Sequence, residues 1–426
     1  MLGTILVLWG VLTVAIAIWW FTVPSSPDRA LVRAGPLRRL ARSWRAMWVR
    51  GFLWWASWPH VIDHVGGVHR APVDPHGYDV VWTDGPVTLR RLHGARRRGS
   101  PILVVHALVS QPWILDLAPG HSLLGALVDA GFDVFVLDWG APGRKEAGRG
   151  IAEYTATLLA AEEQVMSSSG ADALHLAGYC SGATLCLIRL GGWSNDRVSS
   201  FAAIAPAVDL AVPGGMSTMM TSSLLKPVLL LDGDGCLPAA VIRESFHALR
   251  PEALRTVTLA YRRRRNPSYR VVYDPLARWA YEQRRIPGAL FFDLVELHRT
   301  NALFDGGLSV SDRPIDLATV RAPTLIALAL RDHIVPAASS LALASVLEAE
   351  TLICPSGHVS LLNGERGREV LWPGLTAFFD AHERAPSVPA VRAPSRRRRS
   401  RPTPGRSSRS TDPKPGTGSL RRPPPR

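Results

Sequence analysis

Gly178-Tyr179-Cys180-Ser181-Gly182 has the form G-x-nucleophile-x-G, with a thiol in the nucleophile position. An apolar run, Ala173 to Gly178, precedes it, and a stretch rich in Leu and Ile follows. In a tight strand-to-helix turn the glycines let neighbouring backbone approach closely. The turn lifts the side chain to a helix N-terminus, where the dipole favours a thiolate. Such a thiol needs a base, and the base needs an orienting acid. Asp332 leaves the apolar run Thr324 to Leu330, and His358 lies in the loop after Thr351 to Cys354. Taken singly, Asp332 reads as a turn aspartate and His358 as a surface-loop histidine. Together with the elbow, in the order nucleophile, acid, histidine, they form a triad for acyl transfer through an enzyme thioester. His333 competes for the role of base, but His358 fits the position better.

A tetrahedral intermediate would need donors for its oxyanion. The backbone N–H of Ser181 and those of Ala107 and Leu108, in the loop after Val105, are the candidates. His106, Asp138 and Trp139 end strands at the same rim and are candidate substrate-binding groups; a histidine satisfied by backbone and a loop-capping aspartate are the competing readings. The four cysteines, Cys180, Cys186, Cys236 and Cys354, form no CxxC or metal spacing, so all are expected to be free thiols. Neither a metal nor a cofactor is expected.

The elements that must hold these residues alternate. Tyr78 to Trp82 and Val87 to Leu92 flank a Thr83-Asp84-Gly85-Pro86 turn. Ile102 to Val109, Phe132 to Trp139 and Ala173 to Gly178 are buried-strand runs, with helices over His121 to Gly131 and Ile151 to Ser167 between them. Later strands are expected in Ser200 to Pro206, Thr324 to Leu330 and Thr351 to Cys354, then a closing helix near Glu369 to His382. This rhythm predicts an α/β fold with a mostly parallel sheet covered on both faces, of the α/β-hydrolase type. Between about Asp209 and Val320 the rhythm fails, as expected of a lid or cap. The catalytic domain is assigned to 78–383.

The ends have different character. Met1 to Val23 carries no charged side chain and is long enough to cross a membrane as a helix. Seven arginines between Arg29 and Arg50 follow, placing the body in the cytoplasm by the positive-inside rule and the anchor in the inner membrane. Residues 24–77 are basic and rich in tryptophan, suited either to the anionic membrane surface or to packing on the catalytic domain. The net charge is +14, of which residues 385–426 of the Pro/Ser/Arg tail (384–426) hold +11. The body is therefore near neutral, and the charge is no argument that it binds nucleic acid. The tail is expected to be disordered and could attract anionic lipid or nucleic acid. Arg262 to Arg265 lie in the cap, facing either coenzyme A phosphates or solvent.

Several stretches together resemble the polyhydroxyalkanoate synthase family. GYCSGATLCL is similar to its GxCxGG box, and His106 to Gly140 to the segment that precedes the box. RDHIVP resembles the loop with its aspartate, and SGHVSLLNG the region of its histidine. HRTNALFDGGL (His298 to Leu308) is similar to its NxLxxG segment. The resemblance runs from about Tyr78 to His382, and it implies an α/β-hydrolase-fold enzyme that polymerises 3-hydroxyacyl-CoA and releases coenzyme A. Cys180 would be the acylated nucleophile, His358 its base and Asp332 the third member. The core length is near that of short synthases, which implies a partner synthase subunit or a homo-oligomer. A cysteine-dependent thioesterase is the alternative within catalysis, and a non-catalytic membrane scaffold the alternative outside it.

Overall fold

A computed structural model describes residues 70–94, 99–223, 225–249 and 266–384. The expected anchor Met1–Val23, most of the Trp-rich stretch, Arg262 to Arg265 and all but the first residue of the tail lie outside these residues. Among the described residues no helix is long and apolar enough to cross a membrane.

Eight strands form one sheet: β1 (Tyr78–Asp84), β2 (Val87–Leu92), β3 (Ile102–Val105), β4 (Val134–Asp138), β5 (Leu174–Tyr179), β6 (Val198–Ile204), β7 (Thr324–Ala329) and β8 (Ala349–Cys354). Their spatial order is β1-β2-β4-β3-β5-β6-β7-β8. The β1–β2 and β2–β4 pairs are antiparallel; every later neighbour pair is parallel. Strands β3 to β7 are buried along their whole length apart from their termini in loops, which explains their continuous apolar runs. Edge strand β8 is mostly exposed.

Two apolar layers flank the sheet. On one face lie α2 (Ile151–Ser169) and α3 (Ser181–Gly192), packed through Leu158, Val165, Leu185 and Ile188. On the other lie α1 (Leu123–Asp129) and α8 (Trp372–Ala381), through Leu123, Leu127, Phe378 and Phe379. Alternation in β5 feeds both layers: Leu174 and Leu176 face the first, Ala177 and Tyr179 the second.

The expected strands and helices are present, with shifted ends. The run expected as a strand to Val109 stops at Val105, and His121-Ser122 is a short extended pair ahead of α1 rather than its first turn. Between β6 and β7 the chain builds the cap from α4 (Gly215–Thr221), α5 (Ala239–Ala248), α6 (Pro267–Tyr281) and α7 (Gly288–Thr300). The folded body begins before Tyr78: the Ala71 carbonyl accepts Arg278 Nη1 at 2.8 Å, and Asp74 N–H donates to the Asp116 carbonyl at 3.2 Å.

The chain runs from β3 to β4 on one side and then to β5 on the other, so the strand order reverses at β3. In open α/β sheets, ligands bind in the crevice beyond the carboxyl ends of the strands at such a point.

Candidate active site

Cys180 stands at that crevice, between the end of β5 and the start of α3, with φ 53° and ψ −127°. A non-glycine residue in this region costs about 1–3 kcal/mol, so the surroundings must enforce it. They do so by crowding. A Cβ on Gly178 would lie 2.4 Å from the Ala183 Cα, and one on Gly182 would lie 2.4 Å from the Val105 carbonyl oxygen. Only glycine lets the elbow nest against the end of β3. The Cys180 N–H donates to the Ile204 carbonyl at 2.9 Å, and its own carbonyl accepts the N–H of Ala183 and Thr184, starting the helix.

Asp332 lies just past β7. Its Oδ1 accepts the N–H groups of Ile334 (2.8 Å) and Val335 (2.9 Å), and its Oδ2 accepts His358 Nδ1–H at 2.6 Å. A carboxylate held on both oxygens cannot rotate, so it fixes both the tautomer and the plane of the imidazole. The other ring nitrogen is left to hydrogen-bond with Cys180. His358 is fully buried, and burial by itself disfavours the imidazolium. The charges of Cys180 and Asp332 and hydrogen bonds to both outweigh that and push His358 up to about 10. The arrangement therefore favours the imidazolium form of His358. His358, not His333, is the imidazole that meets Asp332. Tyr179, which the motif hid in its variable position, supports the base from behind: its ring lies 5.1 Å from that of His358, and its hydroxyl donates to the His358 carbonyl at 3.4 Å.

Ser181 opens α3, so its N–H belongs to the helix's first-turn donors, and Ala107 is buried beside the elbow. The Leu108 N–H differs from the expectation. It donates to Ser181 Oγ at 3.0 Å, so it is engaged rather than free for an oxyanion.

A cavity of about 140 Å³ lies over Cys180, walled by the cap. Met216, Met219 and Met220 of α4, Ile242 and Phe246 of α5, and Phe291 and Leu294 of α7 make it predominantly apolar. Its floor includes Cys180, Ser181 and Val109.

His106, Asp138 and Trp139, the candidate substrate-binding groups, are not among the residues that line this cavity. All three are buried. Asp138 is clamped by Arg90 and by Arg284, whose Nη1 lies 2.6 Å from its Oδ1. Trp139 Nε1 donates to the His106 carbonyl at 3.1 Å. His106 Nε2 meets Ser110, and burial drives its imidazole down to about 3, so it stays neutral. These side chains tie strand ends together beneath the rim. Cys180, Cys186, Cys236 and Cys354 are all free, the last three buried. Among the described residues no cluster of potential metal ligands occurs.

The family model for the alpha/beta hydrolase fold matches residues 100–365, more than half of the chain. The chain belongs to the alpha/beta hydrolase fold family. The resemblance to polyhydroxyalkanoate synthases seen in its motifs extends across the domain. Over 287 residues it is 24% identical to the poly(3-hydroxyalkanoate) polymerase subunit PhaC of Haloferax mediterranei, covering 66% of this chain and 58% of that one. With the PhaC subunit of Thiocystis violacea it shares 24% over 312 residues, 71% of this chain and 87% of the relative. With that of Cupriavidus necator it shares 28% over 277 residues, 61% and 46%. The chain thus spans less than two thirds of the haloarchaeal relative's length. Among solved structures, the enol-lactonase from Burkholderia xenovorans LB400 aligns with a TM-score of 0.45 at 17% identity, covering 71% of this chain and all of that one.

Proposed function

We propose that the protein is a polyhydroxyalkanoate-synthase-like acyltransferase that moves 3-hydroxyacyl groups from coenzyme A thioesters through a thioester on Cys180. The observation that carries this is the strained elbow thiol paired with an imidazole that Asp332 holds and charges. The thiolate Sγ attacks the thioester carbonyl carbon, and the oxyanion is met by the N–H groups of Ser181 and Ala107. The C–S bond to coenzyme A breaks, and His358 gives its proton to the departing sulfur. Neutral His358 then takes the proton from the hydroxyl of the next acyl group as that oxygen attacks the Cys180 thioester. An ester forms, and the thiolate–imidazolium pair is restored. Exchange between two thioesters is nearly balanced, so the acyl group can be passed on rather than trapped. The apolar, cap-covered cavity favours this over transfer to water. The names of the PhaC relatives support the same assignment.

Purified protein given 3-hydroxybutyryl-CoA should release coenzyme A together with polymer, and Cys180 should carry a hydroxyacyl adduct on intact-mass analysis. Release of coenzyme A with free acid alone would make the protein a thioesterase. Absence of any adduct at Cys180 would end the covalent reading, and a Cys180→Ala protein with full biological effect would favour the scaffold.

The proposal extends to the ends of the chain: an inner-membrane anchor at Met1–Val23 with the body in the cytoplasm, a tail that attracts anionic partners, and a partner synthase subunit or second copy. Fractionation of cells expressing the full chain and a chain lacking residues 1–23 tests the anchor. Only the full chain should stay with membranes after carbonate extraction.

A further inference from the structure

Most polar groups that face the cavity are already engaged. Ser217 Oγ donates to the Leu210 carbonyl (2.5 Å) and Ser245 Oγ to that of Val241 (2.8 Å). The Ser339 and Ser181 hydroxyls accept backbone N–H groups, from Val208 at 3.3 Å and Leu108 at 3.0 Å. Asp209 Oδ1 accepts from Ala211 N–H and Asn301 Nδ2, each at 3.0 Å.

His298, on α7, differs. Its Nδ1 lies 2.7 Å from the Leu294 carbonyl oxygen, which can only accept, so Nδ1 carries the proton and Nε2 presents a lone pair. Nε2 has no hydrogen-bond partner among the described residues. The ring lines the cavity beside Leu294 and Phe291, one and two turns back on the same helix face. Burial lowers its affinity for a proton, so the imidazole is neutral and acts as an acceptor. A neutral acceptor with a fixed tautomer, set in an apolar wall, distinguishes chains that offer a donor from chains that do not. A plain acyl chain would leave Nε2 without a partner on closing the cavity, whereas a hydroxyl would satisfy it.

We propose that His298 selects hydroxylated acyl chains, its Nε2 accepting a hydrogen bond from a hydroxyl on the chain bound over Cys180. This deepens the function proposed above and rests on acylation of Cys180.

The test follows single-turnover acylation of Cys180, which does not require the hydroxyl to react. The full chain is given 3-hydroxybutyryl-CoA and butyryl-CoA in competition and the two acyl adducts are resolved by intact mass, so the active fraction cancels from the ratio. Wild-type protein should favour the hydroxylated substrate by about tenfold, the worth of one hydrogen bond. His298→Phe should bring the ratio near one, and His298→Gln, which keeps an acceptor, should retain part of the preference. A wild-type ratio near one would overturn the proposal whether or not the variants fold, as would an unchanged preference in His298→Phe. Should neither substrate acylate Cys180 in wild-type protein, it is the proposed function that fails.

Discussion

Two buried carboxylates close strands of one sheet that lie two places to either side of β5, and they have opposite consequences. Asp332, past β7, meets an imidazole that faces a thiol at the cavity floor. Asp138, ending β4, meets two arginines beneath the rim. Each has a histidine nearby, and burial disfavours charge on both rings. His358 is nonetheless pushed up to about 10, because Cys180 and Asp332 sit against it. His106 goes down to about 3, because its burial outweighs the opposing Asp138 charge and the charges of Arg284 and Arg90 add to the fall. The strand-end position offers both carboxylates the same place; their partners decide which becomes chemistry and which becomes scaffolding.

Removing the nucleophile gives the largest contrast. Cys180→Ala should lower coenzyme A release by about a thousandfold or more and abolish the acyl adduct, with thermal unfolding unchanged or raised because alanine leaves the sulfur's strained turn in place. Asp332→Asn should follow, lowering the acylation rate by about 10²–10⁴-fold. This variant also has a signature in pH. Imidazolium at 358 is favoured in the folded protein, so its stabilising effect is complete below about 6.5 and lost as pH rises through about 10. In wild-type protein the alkaline limb of acylation should fall near pH 10, and in Asp332→Asn it should move to lower pH.

The other carboxylate should behave in reverse. Asp138→Ala leaves buried Arg284 without an acidic partner and Arg90 with Asp74 alone, at 3.7 Å, and should cost about 3–5 kcal/mol of stability in denaturant titrations. Acylation per folded molecule should stay within about twofold of wild type. A fall in kcat alone, with stability kept, would move Asp138 into the site and dissolve the contrast. The smallest effect belongs to His106. Its folded form resists protonation, so stability is whole above about pH 6.5 and is lost as pH falls toward 3. His106→Gln should flatten that acid slope by about 1 kcal/mol per pH unit, read as Tm against pH.

The fold was legible because each buried strand is a short apolar run and each turn between strand and helix has its glycine or proline. That Cys180, Asp332 and His358 would meet was legible for the same reason: each leaves such a run, in an order one fold uses. What separates Asp138 from Asp332 was not, since it depends on Arg90 and Arg284, which come from β2 and from the chain after α6. The end of β3 was misjudged because Val105 to Val109 remains apolar. The strand stops there where Gly182 crowds the Val105 and His106 carbonyls, a contact between segments some 77 residues apart in sequence. His298 carried no local signal either. One imidazole on an amphipathic helix looks the same whether it meets solvent or a substrate cavity, and only the carbonyl of Leu294 reveals which nitrogen is left over.

The last described residues are fastened under the sheet. Glu383 Oε1 accepts the Ser100 N–H at 2.8 Å, ahead of β3, and Arg384 donates to the carbonyls of Asp196 and Val198, where β6 begins. Those are the amino ends of parallel strands, whereas Cys180, Asp332 and His358 stand at carboxyl ends. Arg384 thus lies at the floor of the sheet, on the side opposite Cys180. A fluorescent protein or affinity handle joined after Arg384 would hang from the underside, and substrate traffic above should proceed undisturbed.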